Sequence, residues 1–197
     1  RISNMKFICN KDTILSVVQT TSKAAAGKSS IQALEGIVMK LEGNTLTVTG
    51  YDLDIGIKTS IEVEGIESGN IVISAKMAVD IIRKMPSGSI TFECSGNNLA
   101  EITNNMTSFS VSCSSADDYP NVPQVNPDTS FTMPQKLLKS MIIQTKFAVA
   151  VVDSKPALMG CKFELENNVL SVAAVDGVRI ALRQEPVAYD NISFIVP

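Results

Sequence analysis

Residues 33–57, ALEGIVMKLEGNTLTVTGYDLDIGI, return at 157–181 as ALMGCKFELENNVLSVAAVDGVRIA, at a constant offset of 124 with no gap. Leu34, Gly36, Leu41, Glu42, Asn44, Leu46, Val48 and Asp52 recur as Leu158, Gly160, Leu165, Glu166, Asn168, Leu170, Val172 and Asp176. Matches continue outside the block, with Phe7/Phe131, Thr21/Thr145, Ala24/Ala148 and Ser30/Ser154. Solenoid repeats have periods of about 20 to 50 residues, so a period this long reads as a domain duplicated within the chain.

The periodicity within each copy sets the elements. Residues 6–10 form a short strand, and a helix follows over about 11–26 with Ile14, Val18, Thr21 and Ala25 on one face. After Gly27 and a loop at 28–32 the period switches to two. Ile37, Met39 and Leu41, then Leu46 and Val48 beyond a Gly43-Asn44 turn, then Ile55, Ile57, Ile61 and Val63 mark an antiparallel meander with one buried face. Residues 67–69 read as a loop. The order then repeats more loosely, with a strand at 71–74 and a helix at 75–84 carrying Met77, Ile81 and Met85 on one face. Strands at 90–94, 99–103 and 108–112 follow.

The predicted fold class is therefore α+β: duplicated strand–helix–three-strand units, antiparallel sheets outside and helices on one face. Residues 1–4, ahead of Met5, read as a remnant of expression; 5–113 is the first domain. Residues 114–129, with three prolines, are an extended linker. Residues 130–197 form the first half of a second domain. In it Pro134 suits the first position of a helix reaching about residue 150, with Leu138, Met141, Ile142 and Thr145 inward. The second copy spans 73 residues of the 124-residue period, so the chain is expected to be a piece of something longer.

The absence of histidine excludes Ser-His-Asp and Cys-His catalysis and most zinc sites. The four cysteines, Cys9, Cys94, Cys113 and Cys161, form no C-x-x-C pair and are expected to be buried free thiols. No metal, cofactor or catalytic residue is predicted. No apolar run approaches the roughly 18 residues of a membrane span, and no signal peptide is visible, so a cytoplasmic protein without a membrane partner is expected. The remaining catalytic candidates are the carboxylates Asp52, Asp54 and Asp176. Asp52 and Asp176 sit at equivalent tight turns, where Asp ordinarily bonds its own backbone.

Charge is unevenly placed. The helical segments with their following loops, 11–28, 76–84 and 134–155, hold ten of the 17 basic residues: Lys11, Lys23, Lys28, Lys76, Arg83, Lys84, Lys136, Lys139, Lys146 and Lys155. They hold three of the 20 acidic ones, Asp12, Asp80 and Asp153. Basic helices on an otherwise acidic body point to a polyanion partner. Lysines without interleaved aromatic residues favour backbone contact with duplex over base readout or stacking on single strands.

At this point the sequence resembles the bacterial DNA polymerase III β sliding clamp family over Met5 to Pro197. The marks are SADDYPNVP (115–123), MPQKLLKSMI (133–142), AVDGVRIALR (174–183) and FIVP (194–197), in the family's order and near its spacing. The resemblance implies a non-catalytic processivity factor of three domains per subunit. Two subunits would close head to tail into a ring around duplex DNA, with basic helices lining the hole; this chain would carry the first domain and half of the second. It implies DNA contacts from Lys28, Lys76, Arg83 and Lys155, to which the charge pattern adds Lys84, Lys136, Lys139 and Lys146. It further implies a pocket for partner peptides whose second-domain wall is Leu158, Val175, Gly177, Val178, Arg179 and Ile180. Leu158 and Ile180 are also expected to serve the sheet core. Val175 and Val178 stand where many members carry Thr and His, and Pro156-Ala157 replaces an aromatic pair, so the pocket should be more apolar. The implied partners are duplex DNA, the replicative polymerase catalytic subunit, the clamp loader, other proteins bearing a clamp-binding motif, and a second subunit in the full-length homodimer. The competing reading, a non-enzymatic structural or adhesive β-rich repeat protein, predicts no charge confined to helices.

Overall fold

The computed structural model describes residues 3–124, 130–152 and 155–197. Expectations that fall on residues 1–2, 125–129 and 153–154 lie outside the described residues; they concern part of the leader, the end of the linker, Asp153 and Ser154. The chain divides into two compact units, Arg1–Gln124 and Val125–Pro197.

Unit 1 runs β1 (Met5–Asn10), α1 (Lys11–Thr21), β2 (Gly36–Glu42), β3 (Thr45–Tyr51), β4 (Gly56–Glu62), β5 (Glu64–Glu67), β6 (Gly69–Ser74), α2 (Ala75–Lys84), β7 (Ser89–Cys94), β8 (Leu99–Asn104) and β9 (Thr107–Ser115). All pairings are antiparallel in the order β4-β3-β2-β6-β9-β8-β7-β1-β5. The two strand–helix–three-strand units exchange their first strands: β1 pairs with β7 of the second meander and β6 with β2 of the first. That exchange makes the two halves one body. A single apolar core contains Phe7, Ile14, Val18, Met39, Leu46, Ile73, Ile81, Phe92 and Ile102, with Phe7 and Phe92 stacked at 5.1 Å. Helices α1 and α2 lie against each other.

Unit 2 contains α3 (Gln135–Thr145), β10 (Cys161–Glu166), β11 (Val169–Val175), β12 (Ile180–Pro186) and β13 (Ile192–Val196), in the sheet order β12-β11-β10-β13. Its own core centres on Met141, Phe163, Leu165, Leu170 and Val172. The offset of 124 holds at the level of single hydrogen bonds. Ala26 N donates to Leu34 O and Ala150 N to Leu158 O; Val63 N donates to Asn44 O and Val187 N to Asn168 O. Thr21 Oγ1 donates to Val17 O as Thr145 Oγ1 does to Met141 O.

Four sequence expectations are corrected. Residues 67–69, expected as a loop, are taken up at both ends by strands: β5, Glu64–Glu67, crosses to the far sheet edge and pairs with β1, and β6 opens at Gly69. Met77 is exposed on α2; the buried positions are Ala75, Ala78, Ile81 and Ile82, so the inward face is turned one residue from the expected one. Both long helices stop early, at Thr21 and Thr145, and continue as 3-10 turns at Ser22–Ala24 and Lys146–Ala148. The proline-containing segment does not leave the sheet at residue 114: β9 reaches Ser115 and a 3-10 turn, Ala116–Asp118, folds the chain back onto unit 1. Residues 130–134, the counterpart of β1, form no strand. The strand that pairs with β1, β7, has no counterpart among the described residues of unit 2, and an extended segment without a partner gains no ladder bonds.

Candidate nucleic-acid interface and docking surface

The candidate phosphate-contacting residues are all exposed. On α2 the apolar face anchors the helix while Lys76, Arg83 and Lys84 point away from the core. Ser74 caps its start, the Oγ accepting from Met77 N at 3.4 Å. On α1 the Asn10 side chain does the same for Asp12 N (2.9 Å) and Thr13 N (3.3 Å). Lys28 stands on the turn beyond the 3-10 segment that ends α1. Arg83 reaches Asp80 at 4.0 Å, an exposed pair that contributes little by itself.

Between α1 and α2 lies a 430 Å³ groove lined by Ser16, Gln19, Thr20, Ser22, Lys23, Val79 and Arg83. It brings Arg83 to the same groove as Lys23, which the charge pattern alone does not mark as a contact. In unit 2, Lys136 and Lys139 sit on the outer face of α3, Lys146 opens the following 3-10 turn, and Lys155 precedes the 3-10 turn Pro156–Met159. Each unit thus presents its own exposed cations, directed by helices whose opposite faces are buried.

The expected pocket wall lies at the β11–β12 turn of unit 2. Asp176 Oδ1 accepts from Val178 N (3.1 Å) and Arg179 N (3.0 Å), which fixes the turn, and Gly177 takes φ +85°. These two backbone donors, followed by the Arg179 side chain (Nε to Oδ2, 2.7 Å), hold the Asp176 carboxyl below the ordinary carboxylate range. Leu158 and Val175 are half-buried, whereas Val178 is 96% exposed and Ile180 74% exposed. The expectation that Ile180 serves the core is therefore wrong. On β12 the inward position is Ala181, so Ile180 and Leu182 share the outer face of the strand. Leu182 and Phe147 extend the exposed apolar surface beyond the residues chosen from the sequence. The Arg179 guanidinium lies 6.0 Å from the Phe147 ring centroid, within reach of a cation–π contact. The spacing Ile180-x-Leu182 carried a signal for this surface; the Arg179–Phe147 contact, between distant residues, carried none.

The carboxylate reading finds no support in geometry. Asp52 Oδ1 accepts from Asp54 N (3.0 Å) and Ile55 N (2.7 Å), and Asp176 does the equivalent, so both cap their own turns. Among the described residues no cluster of three or more His, Cys, Asp or Glu could hold a metal ion. No helix among them is long and apolar enough to cross a membrane.

Residues 5–123 match the family model of the DNA polymerase III beta subunit N-terminal domain, and 132–197 that of its central domain. The beta sliding clamp of Halalkalibacterium halodurans is 34% identical over 191 residues, covering 93% of this chain and 50% of the relative. That of Bacillus subtilis is 32% identical over 188 residues, covering 91% and 50%. Among solved structures, the Bacillus subtilis DNA polymerase sliding clamp superposes with TM-score 0.93 at 30% identity, covering 99% of this chain and 54% of that one. A Pseudomonas aeruginosa sliding clamp bound to griselimycin superposes with TM-score 0.90 at 25% identity, covering 98% and 54%. The chain spans about half the length of the curated relatives it matches.

Proposed function

The chain belongs to the DNA polymerase III beta subunit family, and from that membership we propose that it is part of a processivity clamp for the replicative DNA polymerase. Its fold is the DNA clamp fold. The observation that carries the functional reading is that ten of the 17 basic residues, against three of the 20 acidic ones, lie in the helical segments and their following loops, most of them exposed, while the opposite faces of the helices are buried.

Lys28, Lys76, Arg83 and Lys84 in unit 1, and Lys136, Lys139, Lys146 and Lys155 in unit 2, meet duplex phosphates as point charges. Such contacts carry no base information and permit movement along the duplex. The whole protein encircles DNA as a head-to-tail homodimer in the cytoplasm and needs no catalytic group, cofactor or metal. Leu158, Val175, Gly177, Val178, Arg179 and Ile180 receive short hydrophobic segments of the polymerase catalytic subunit, the clamp loader and other partners, an anchor-in-pocket mode. The exposed Val178 and Ile180 support this reading, as does the ligand-bound Pseudomonas aeruginosa relative. An adhesive or purely structural role would leave the concentration of cations on the helical segments and their loops without a purpose.

The test is duplex binding by Lys28→Glu together with Lys76→Glu. The double variant should keep its fold by circular dichroism and bind unrelated duplex sequences equally more weakly. The slope of log affinity against log salt should flatten by about 2, roughly one per lost phosphate contact. Unchanged affinity and slope would refute the interface.

A further inference from the structure

Unit 1 contains the counterpart of the unit 2 docking surface, and it is not empty. At the offset of 124, Leu34, Tyr51, Leu53, Asp54, Ile55 and Gly56 stand where unit 2 has Leu158, Val175, Gly177, Val178, Arg179 and Ile180. The Asp52 turn and the Asp176 turn share the same backbone bonds, Asp52 N to Ile55 O (3.2 Å) and Asp176 N to Arg179 O (3.3 Å). The two surfaces differ in what covers them. In unit 1 the 3-10 turn Ala116–Asp118, tightened by Ser115 Oγ accepting from Asp117 N at 3.2 Å, returns the chain across the strand ends. The Tyr119 hydroxyl then lies 3.4 Å from both Gly36 O and Tyr51 O, able to donate to either. Three residues on, Val122 Cγ1 lies 2.7 Å from where a Cβ on Gly56 would stand.

The residue choices agree with this occupancy. Gly56 has no side chain to contest the place of Val122, whereas its counterpart Ile180 fills that volume and is 74% exposed. Tyr51 is buried, while its counterpart Val175 is half-buried. Two positions along the strand, Lys58 of unit 1 faces Leu182 of unit 2 in the alignment. One copy is shaped to be closed by its own chain, and the other presents aliphatic side chains outward.

We propose that unit 1 carries a second docking site, closed in cis by residues 119–122, which takes an extended peptide bearing a hydroxylated aromatic residue followed three positions later by a β-branched aliphatic one. Residues 119–122 act as its resident ligand, and a peptide in trans enters only when they are displaced. The proposal rests on the docking reading of unit 2 for its analogy alone, since the contacts in unit 1 stand without it.

The experiment uses the whole chain and a fluorescently labelled peptide of residues 117–124, DDYPNVPQ. Wild type should not bind it above background. Tyr119→Ala with Val122→Ala should bind it saturably, and amide exchange across residues 51–57, accelerated in the free variant, should slow again with peptide. Adding Ile180→Asp, which damages the unit 2 surface, should leave that binding intact. Binding abolished by Ile180→Asp, or a folded double variant that neither binds nor exchanges faster at 51–57, overturns the proposal. Should the double variant fail to fold, Tyr119→Phe removes the hydroxyl alone: several-fold faster exchange at 51–57 supports the latch, and unchanged exchange overturns it.

Discussion

Asp52 and Asp176 hold equivalent turns by accepting two backbone N–H groups each, so their chemistry is spent on geometry. The cysteines are equally inert, and their environment makes that measurable. All four are buried free thiols, as their apolar neighbours implied. Burial pushes Cys9 up to about 12, and Cys113 to about 12 through burial with the Cys94 thiol 3.4 Å away as a lesser cause. The thiolate is the reactive form, so neither should be alkylated by iodoacetamide at pH 8 in the native chain, whereas urea should expose all four to labelling. The linkage follows the same sign. Unfolded thiols ionise at about 8.5, so the neutral thiols' contribution to stability is complete below that pH and is lost as pH rises towards about 12. Native-state labelling at the rate of a free thiol would contradict this burial argument.

At the scale of elements, the helix–sheet contact separates the two copies. Gly50 of β3 passes so close to the end of α1 that a Cβ there would strike the Thr21 carbonyl. Its counterpart in β11 is Ala174, buried and accommodated, and Thr145 has φ −119° where Thr21 has φ −70°. The helix end has yielded around the methyl group in unit 2 and closed down over hydrogen in unit 1. Gly50→Ala should therefore destabilise unit 1 by about 1–3 kcal/mol, the usual cost of overpacking, while Ala174→Gly should cost unit 2 less than a large-to-small core change. Urea denaturation of both variants checks this, and a neutral Gly50→Ala would show the helix end to be freely adjustable. Alternation in 37–48 and 163–172 marks strands legibly because each has one dry face. The edge strand β5, with Glu64, Ile66 and Glu67 exposed, has no such pattern; its existence depends on a long-range pairing with β1. Met77 and Ile180 misled for a related reason, since hydrophobicity alone does not say which face of an element is covered. The cationic helix positions were legible because their exposure follows from the helical period, whereas the return of Tyr119 to Gly36 and Tyr51 joins residues far apart in the chain.

At the scale of the molecule, the two units differ in how completely each sheet is enclosed. Unit 1 closes nine strands over one extensive core fed by two helices. Among its described residues unit 2 has four strands and one α-helix, and Phe194, Ile195 and Val196 of β13 are partly exposed. A smaller body buries a smaller fraction of its surface and holds a narrower margin over conformational entropy. Among the described residues every β-ladder lies within one unit, so local opening of one need not spread to the other. Amide exchange in increasing urea should therefore release β10–β13 and α3 before the β1, β7 and β2 strands of unit 1, in two steps rather than one. Simultaneous exchange of both units, at one urea midpoint, would mean that they stabilise each other across the chain.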